Sequence, residues 1–257
     1  MSDPFLTVVV PCYNESRNLR RGVLQEMHVY LSAQDHAYEV LISDDGSTDD
    51  SREIVREQIA DLPGFRLLEN AHGGKPMAVW NGIRAGRGEI ILFTDMDQST
   101  PIDQVAPLLA RFAEGYDVVI GSRGLTRKDF PLYRRLGSAA FAGLRRLMLL
   151  RGVNDTQCGF KALRAAVARE VFPQLSEMRR QGGTVRGHRV TAFDVELLYL
   201  AERAGHRIAE VTVAWANRDV AKGSLRRYAR ESVEMASQIV RIKMKERRGE
   251  YGEARGA

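Results

Sequence analysis

A chain of 257 residues, 44% hydrophobic and 28% charged, has room for one large α/β domain or two small ones and the make-up of a soluble globular protein, which excludes a disordered or fibrous chain. The formal net charge is +5, and the basic excess clusters in Arg123 to Arg151 and Ser224 to Arg248, which points to an anionic partner: phosphate, lipid headgroup or nucleic acid. Two distant cysteines, Cys12 and Cys158, lack metal-ligand spacing and exclude a disulfide framework, as in a reducing compartment. The apolar run Leu6 to Val10 is too short for a signal peptide, and no uninterrupted apolar stretch reaches the ~20 residues of a bilayer span.

In chain order, Phe5 to Val10 is a β-branched run ending at Pro11-Cys-Tyr-Asn14-Glu15-Ser16, followed by a helical pattern from about Arg17 to Ala33 with Asn14 or Ser16 as its N-cap. Tyr38 to Ser43 repeats the theme and stops at Asp44-Asp45-Gly46-Ser47-Thr48-Asp49, before a helix over Asp50 to Ile59. Phe65 to Glu69 is a third strand, leading through Asn70-Ala-His72-Gly73-Gly74-Lys75 to a helix that runs to Ile83. The run Ile90-Ile-Leu-Phe93 is a fourth, then come a helix over Pro101 to Glu114 and a strand over Tyr116 to Gly121 with Ser122-Arg123 at its tip. Leu132 to Arg151 patterns as an amphipathic helix with a basic flank, equally suited to packing on the core with solvated arginines. Asp155 to Lys161 is a loop into a helix, Gln181 to Gly187 a turn, Phe193 to Ala201 a helix, and Ile208 to Trp215 a strand. Leu225 to Arg248 is a long basic amphipathic helix, and Gly249 to Ala257 a tail. Strands alternating with helices predict a doubly wound, mostly parallel sheet with helices on both faces and one shared mouth: residues 1–224 as the domain, 225–257 as a terminal helix and tail packed on or extending from it.

The most apolar strand ends in Thr94-Asp95-Met96-Asp97-Gln98-Ser99, placing two carboxylates where open α/β sheets bind ligands. In an extended segment they project to the same side, so both can meet one hard cation, or one can hold the metal while the other orients a ligand. Taken alone, Asp95 also suits a helix cap and Asp97 a solvated position.

Together, Val-Val-Val-Pro11-Cys-Tyr13-Asn-Glu15, Asp44-Asp45-Gly-Ser-Thr-Asp49, Gly73-Gly-Lys75, Asp95-Met-Asp97, Ile120-Gly-Ser-Arg123, Asp155-Thr-Gln-Cys-Gly-Phe-Lys161 and Phe193-Asp194-Val-Glu-Leu-Leu occur in one order over residues 5–225. This series resembles the inverting family 2 glycosyltransferases of the GT-A fold. The likeness is greatest to polyprenyl-phosphate sugar synthases, and Phe193 to Leu198 with Trp215 leans toward dolichyl-phosphate β-glucosyltransferase. The resemblance implies transfer of glucose, or alternatively mannose, from a nucleoside diphosphate sugar, UDP-glucose foremost, to a polyprenyl phosphate. Pro11, Tyr13 and Glu15 would line the nucleoside pocket, Asp44 or Asp45 would bind base or ribose, Lys75 would sit by the diphosphate, and Asp95 would face nucleotide and sugar. Asp97 would ligate Mg²⁺ or Mn²⁺, with Ser99 standing where many relatives carry a glutamine ligand and Gln98 one place earlier. Many relatives also continue into transmembrane helices beyond the point where this sequence ends.

A phosphate acceptor is already ionised and needs cations more than a base. Arg123, Arg134, Arg135, Arg218, Lys222 and Ser224 are the candidates for holding it; Asp155 and Asp194 are orienting groups, the base for an alcohol acceptor, or helix caps. The basic amphipathic helices suit reversible attachment to an anionic membrane surface, on its cytoplasmic face. Three other readings fit parts of the chain. A soluble acceptor would use the same donor site. A haloacid-dehalogenase phosphatase would use Asp95 as nucleophile, but its motif normally belongs to the first strand. A nucleic-acid or lipid-surface binder is opposed by the acidic pairs, so nucleic acid is not an expected partner.

Overall fold

The computed structural model describes residues 3–124, 153–179, 193–216, 237 and 239–251. The predicted helix over Leu132 to Arg151, the turn at Gln181 and the first part of the helix from Leu225 lie outside these residues. Seven strands, β1 (Leu6–Cys12), β2 (Tyr38–Asp44), β3 (Phe65–Glu69), β4 (Ile90–Phe93), β5 (Val118–Ser122), β6 (Lys161–Arg164) and β7 (Ile208–Thr212), form one sheet in the order β3-β2-β1-β4-β6-β5-β7. All neighbours are parallel except β6, which runs antiparallel between β4 and β5.

Period-2 alternation sorts the strand side chains into two cores. Leu6, Val8 and Val10 of β1 and Ile90 and Leu92 of β4 face a layer built from α1 (Ser16–Leu19), α2 (Val23–Ser32), α3 (Ser51–Ile59) and α5 (Val105–Ala113). Val9, Ile91, Phe93, Val118 and Ile120 face the opposite layer, of α4 (Lys75–Ala85), α6 (Ala165–Val171) and α8 (Phe193–Arg203), with the short helix α7 (Ser176–Arg179) beside them. Helix α4 lies unusually close to the sheet: a β-carbon on Gly82 would stand 2.9 Å from Cγ2 of Val9. That close approach seats the first turn of α4, and with it Lys75, at the sheet's ligand-binding edge.

Four expectations are corrected. The helix predicted over Arg17 to Ala33 is two, because Gly22 adopts φ 83° between them. Neither Asn14 nor Ser16 caps it: the N-cap is Glu15, with no side-chain capping bond. The loop after Asp155 enters strand β6 and not a helix; four residues are too few to display a period, and three of them are buried, one being lysine. The strand from Ile208 ends at Thr212, short of Trp215.

Residues 239–247 are helical, and Ile239, Ile242 and Tyr251 join the core of the α4 layer. The Tyr251 hydroxyl donates to Glu196 of α8 at 2.6 Å, so this segment is packed on the domain. Its outward side carries Val240 and Met244 between Arg241, Arg247 and Arg248.

Candidate active site

Parallel strands bring their carboxyl ends to one edge, and the loops after β1, β2, β3, β4 and β5 meet there. Because β6 is antiparallel, its beginning lies at the same edge, with Lys161 opposite Phe93 and Ile120. This is how Asp155 to Gly159 reaches the end of the aspartate-bearing strand.

On the β1–β2 side, the loops are tied to one another before any ligand arrives. Asn14, at φ 56°, accepts on Oδ1 from the Thr48 and Asp49 amides at 2.8 and 3.3 Å, and its own N–H donates to Ser47 Oγ at 3.0 Å. The Glu15 N–H donates to Ser51 Oγ at 2.8 Å. Asp44 is fully buried and accepts from the amides of Gly46 and Ser47 and from Arg52 Nε at 2.6 Å. Its oxygens are committed to the turn, so of the two acids predicted to meet the nucleoside, Asp44 is the brace. Asp45 accepts from Gly73 N–H at 2.8 Å and Gly74 N–H at 2.9 Å and faces His72 Nδ1 at 2.9 Å. Burial raises its pKa in spite of those donors. The His72 ring in turn stacks on Tyr13, centroids 4.6 Å apart, leaving Tyr13 40% exposed. Pro11 lies on β1 itself. Together they form an exposed aromatic platform beside a glycine-rich helix start, a place for a planar ring next to phosphate. His72 was visible in the sequence only as a loop residue.

At the centre, the Lys75 ammonium pairs with Asp95 Oδ1, both side chains near two-fifths exposed. Burial alone would lower the Lys75 pKa, but the charges of Asp95, Asp194 and Asp97 raise it, so it stays a cation. Across from Lys75, the backbone at Gly159 lies against the Asp95 carboxyl so closely that no side chain fits. Asp95, Asp97 and Ser99 are all partly exposed, while Met96 and Gln98 between them are buried; the segment is not the extended run expected but a turn, closed by the Gln98 N–H donating to the Asp95 carbonyl at 3.1 Å. Ser99 donates to Asp97 twice, from N–H to Oδ1 and from Oγ to Oδ2, each at 2.8 Å. Gln98, at φ 50°, turns inward and donates to the Asp95 carbonyl at 3.0 Å, so Ser99 and not Gln98 stands at the mouth.

Farther along, Arg123 grips Asp155 with both prongs, Nε to Oδ2 and Nη2 to Oδ1 at 2.7 Å each, and adds its backbone N–H at 3.0 Å. Its guanidinium also lies 5.6 Å from the Trp215 ring. Glu210 of β7 holds the amides of Asn154 and Asp155 at 2.7 and 3.0 Å. Asp194, near the start of α8, is paired at 2.6 Å with Lys161, which has no exposed surface. In the sequence, Gly159 and Lys161 stand out only as members of the Asp155 to Lys161 motif, with no contact legible for either. The one available signal was a lysine entering an apolar strand. Arg134, Arg135, Arg218, Lys222 and Ser224 lie outside the described residues.

The chain is similar in sequence and in fold to known proteins. The family model described as Glycosyl transferase family 2 matches residues 7–172. The dolichyl-phosphate beta-glucosyltransferase of Dictyostelium discoideum is 33% identical over 94% of this chain and 74% of its own length. Glycosyltransferase AglD of Haloferax volcanii is 32% identical over 92% of this chain, which spans only 36% of that protein. Among solved structures, a mannosyltransferase from Pyrobaculum calidifontis in complex with GDP-Man and Mn²⁺ superimposes with a TM-score of 0.63 at 21% identity, covering 95% of this chain and 65% of that one. At that identity the likeness establishes the fold, GT-A, with β6 as its antiparallel strand.

Proposed function

This chain belongs to glycosyl transferase family 2, and from that premise we propose that it transfers a glucosyl residue from a nucleoside diphosphate sugar, UDP-glucose, to a polyprenyl phosphate, with inversion and with Mg²⁺ or Mn²⁺ as cofactor. The observation that carries the reading is the convergence on Asp95 of Lys75 from the head of α4 and of the Gly159 backbone, with Asp97 two residues on. A nucleation site of this kind, cation and helix N-terminus facing a carboxylate pair, suits a metal-bridged diphosphate. The likeness to dolichyl-phosphate beta-glucosyltransferases supports the acceptor class.

The residues fit a hard divalent ion. Asp97 and Ser99 offer oxygens at the mouth with Asp95 beside them, and among the described residues no three His, Cys, Asp or Glu side chains form a cage. Such a donor set matches ions that keep part of their shell for phosphate oxygens. When bound, the ion neutralises charge on the departing diphosphate. Lys75, at the head of α4, adds fixed positive charge at the same place. An acceptor phosphate oxygen then forms the bond to the anomeric carbon from the face opposite the diphosphate, whose oxygen leaves with the bonding pair. Asp155, clamped by Arg123, serves as an oriented carboxylate more than a free base, which an ionised acceptor does not require.

For location, the outward face of residues 239–248, with Val240 and Met244 between arginines, supports reversible attachment to an anionic membrane surface, the place where a polyprenyl phosphate is met. No helix among the described residues is long and apolar enough to cross a membrane.

The test is incubation of the protein with labelled UDP-glucose or GDP-mannose, Mg²⁺ or Mn²⁺, and a polyprenyl phosphate in vesicles, followed by organic extraction. Label in the lipid phase, dependent on metal, is expected. Label transferred only to a water-soluble acceptor would replace the lipid reading, and failure to sediment with anionic vesicles at low salt would remove the membrane attachment.

A further inference from the structure

Lys161 is a lysine with no exposed surface, placed beneath the mouth of the site and paired with Asp194. Its Nζ donates to Asp194 Oδ1 at 2.6 Å and to the carbonyl of Cys158, and lies 5.6 Å from the centroid of the Phe93 ring. Three separate pieces of the site meet at this one ammonium. Phe93 ends the strand that leads into Asp95; Cys158 immediately precedes Gly159, whose backbone abuts the Asp95 carboxyl; Asp194 begins the helix α8. Stability alone is a poor reason for such a group, since a buried ion pair is commonly matched or bettered by apolar side chains of equal volume.

Resting on the glycosyl transfer proposed above, we infer that Lys161 is a positioning residue: it holds Asp194 and the Cys158–Gly159 backbone in one geometry around Asp95, and thereby sets turnover without setting donor affinity. Donor nucleotide and diphosphate are met by Tyr13, Asp45 and Lys75, none of which touches Lys161. The residues that do touch it surround the place where the sugar and the acceptor come together. A shift of the Cys158–Gly159 backbone or of the Asp194 carboxylate would misalign the reacting groups while leaving Tyr13 and Asp45 in place; Lys75 senses the Asp194 charge, which K161M leaves unchanged.

The experiment compares parent, K161M, K161R, D194N and K161M/D194N by three readouts: UDP binding with Mn²⁺ by calorimetry, kcat and KM for the donor, and thermal melting. K161M is expected to lose about 50-fold or more in kcat, the scale of an ångström's misplacement, with the UDP Kd and donor KM changed by less than about threefold. K161R, which keeps the charge, should recover part of the loss, and K161M/D194N should be no slower than the slower single variant, because both act through one contact. A K161M turnover within threefold of the parent overturns the inference, as does a loss of UDP binding that parallels the loss of turnover, the mark of a merely structural residue. If K161M does not fold, K161R and D194N are judged by the same split: unchanged kcat in both overturns the inference, and lowered kcat with intact UDP binding upholds it. A parent inactive toward every nucleoside diphosphate sugar overturns the reaction itself and this inference with it; an active parent with an unimpaired K161M overturns the inference alone.

Discussion

A β-carbon on Gly159 would stand 2.7 Å from Cγ of Asp95. The carboxylate therefore sits in a slot whose two walls are the Lys75 ammonium and a bare stretch of backbone. Only the absence of a side chain lets the loop before β6 close on the aspartate.

Gly159→Ala should accordingly push Asp95 off Lys75 and lower kcat by about 100-fold, the usual result of displacing a reacting group by an ångström. Thermal melting should change little, since the site is partly open and Asp95 has room to swing outward. A G159A protein with parental kcat would show that the Asp95 geometry is immaterial.

Asp97→Asn should abolish transfer at ordinary metal concentrations and leave the fold intact, because Asp97 lies in a loop and, among the described residues, its side chain accepts hydrogen bonds from Ser99 alone. Excess chelator should do the same to the parent. Activity that survives both would remove the metal from the reaction.

Arg123→Ala should destabilise the protein, since it leaves Asp155 with its side chain only 10% exposed and without its fork. Breaking a buried pair costs roughly 3–5 kcal/mol, and the pair's residual exposure puts this one toward the lower end. R123A/D155N, which removes both charges, should recover most of the melting temperature lost by R123A. Acceptor KM of the double variant set against that of D155N then isolates any contribution of Arg123 to phosphate binding; a double variant as unstable as R123A would mean that packing on Trp215, and not the ion pair, is what Arg123 supplies.

Acid sensitivity should trace in part to Glu39. Burial works to raise its pKa, but the Arg87 N–H at 2.6 Å, Arg66 at 2.8 Å and Thr7 Oγ1 at 2.8 Å outweigh burial and hold it below its ordinary 4.5. A depressed carboxyl pKa stabilises the fold above the unfolded value, and that stability disappears as pH falls through the folded one. Glu39→Gln should melt lower at pH 7, by about 1–3 kcal/mol, and lose stability less steeply than the parent below pH 4.5. Parallel melting curves across that range would assign the acid sensitivity to other carboxylates.

Alternating strands and helices, the two-sided burial of β1, β4 and β5, and the placing of Asp95 and Asp97 just beyond β4 were all legible in the order of residues. Each of these follows from local periodicity: side chains two apart share a strand face, and an apolar run stops where polar residues begin. The tertiary structure alone decided that Asp44 braces a turn while Asp45 meets the glycine loop, for both read as acids at one strand tip. It alone decided that Lys161 opens an antiparallel strand, which returns Asp155, Gly159 and Asp194 to the edge where Asp95 lies. Apart from the Asp44 brace, whose partners lie 2 to 8 positions away, these contacts join residues separated by 28 to 68 positions, and no periodicity reaches that far. Whether a short buried segment runs with or against its neighbours is settled by the partners it finds and the charges they leave to be paired, and those are set by the sheet as a whole.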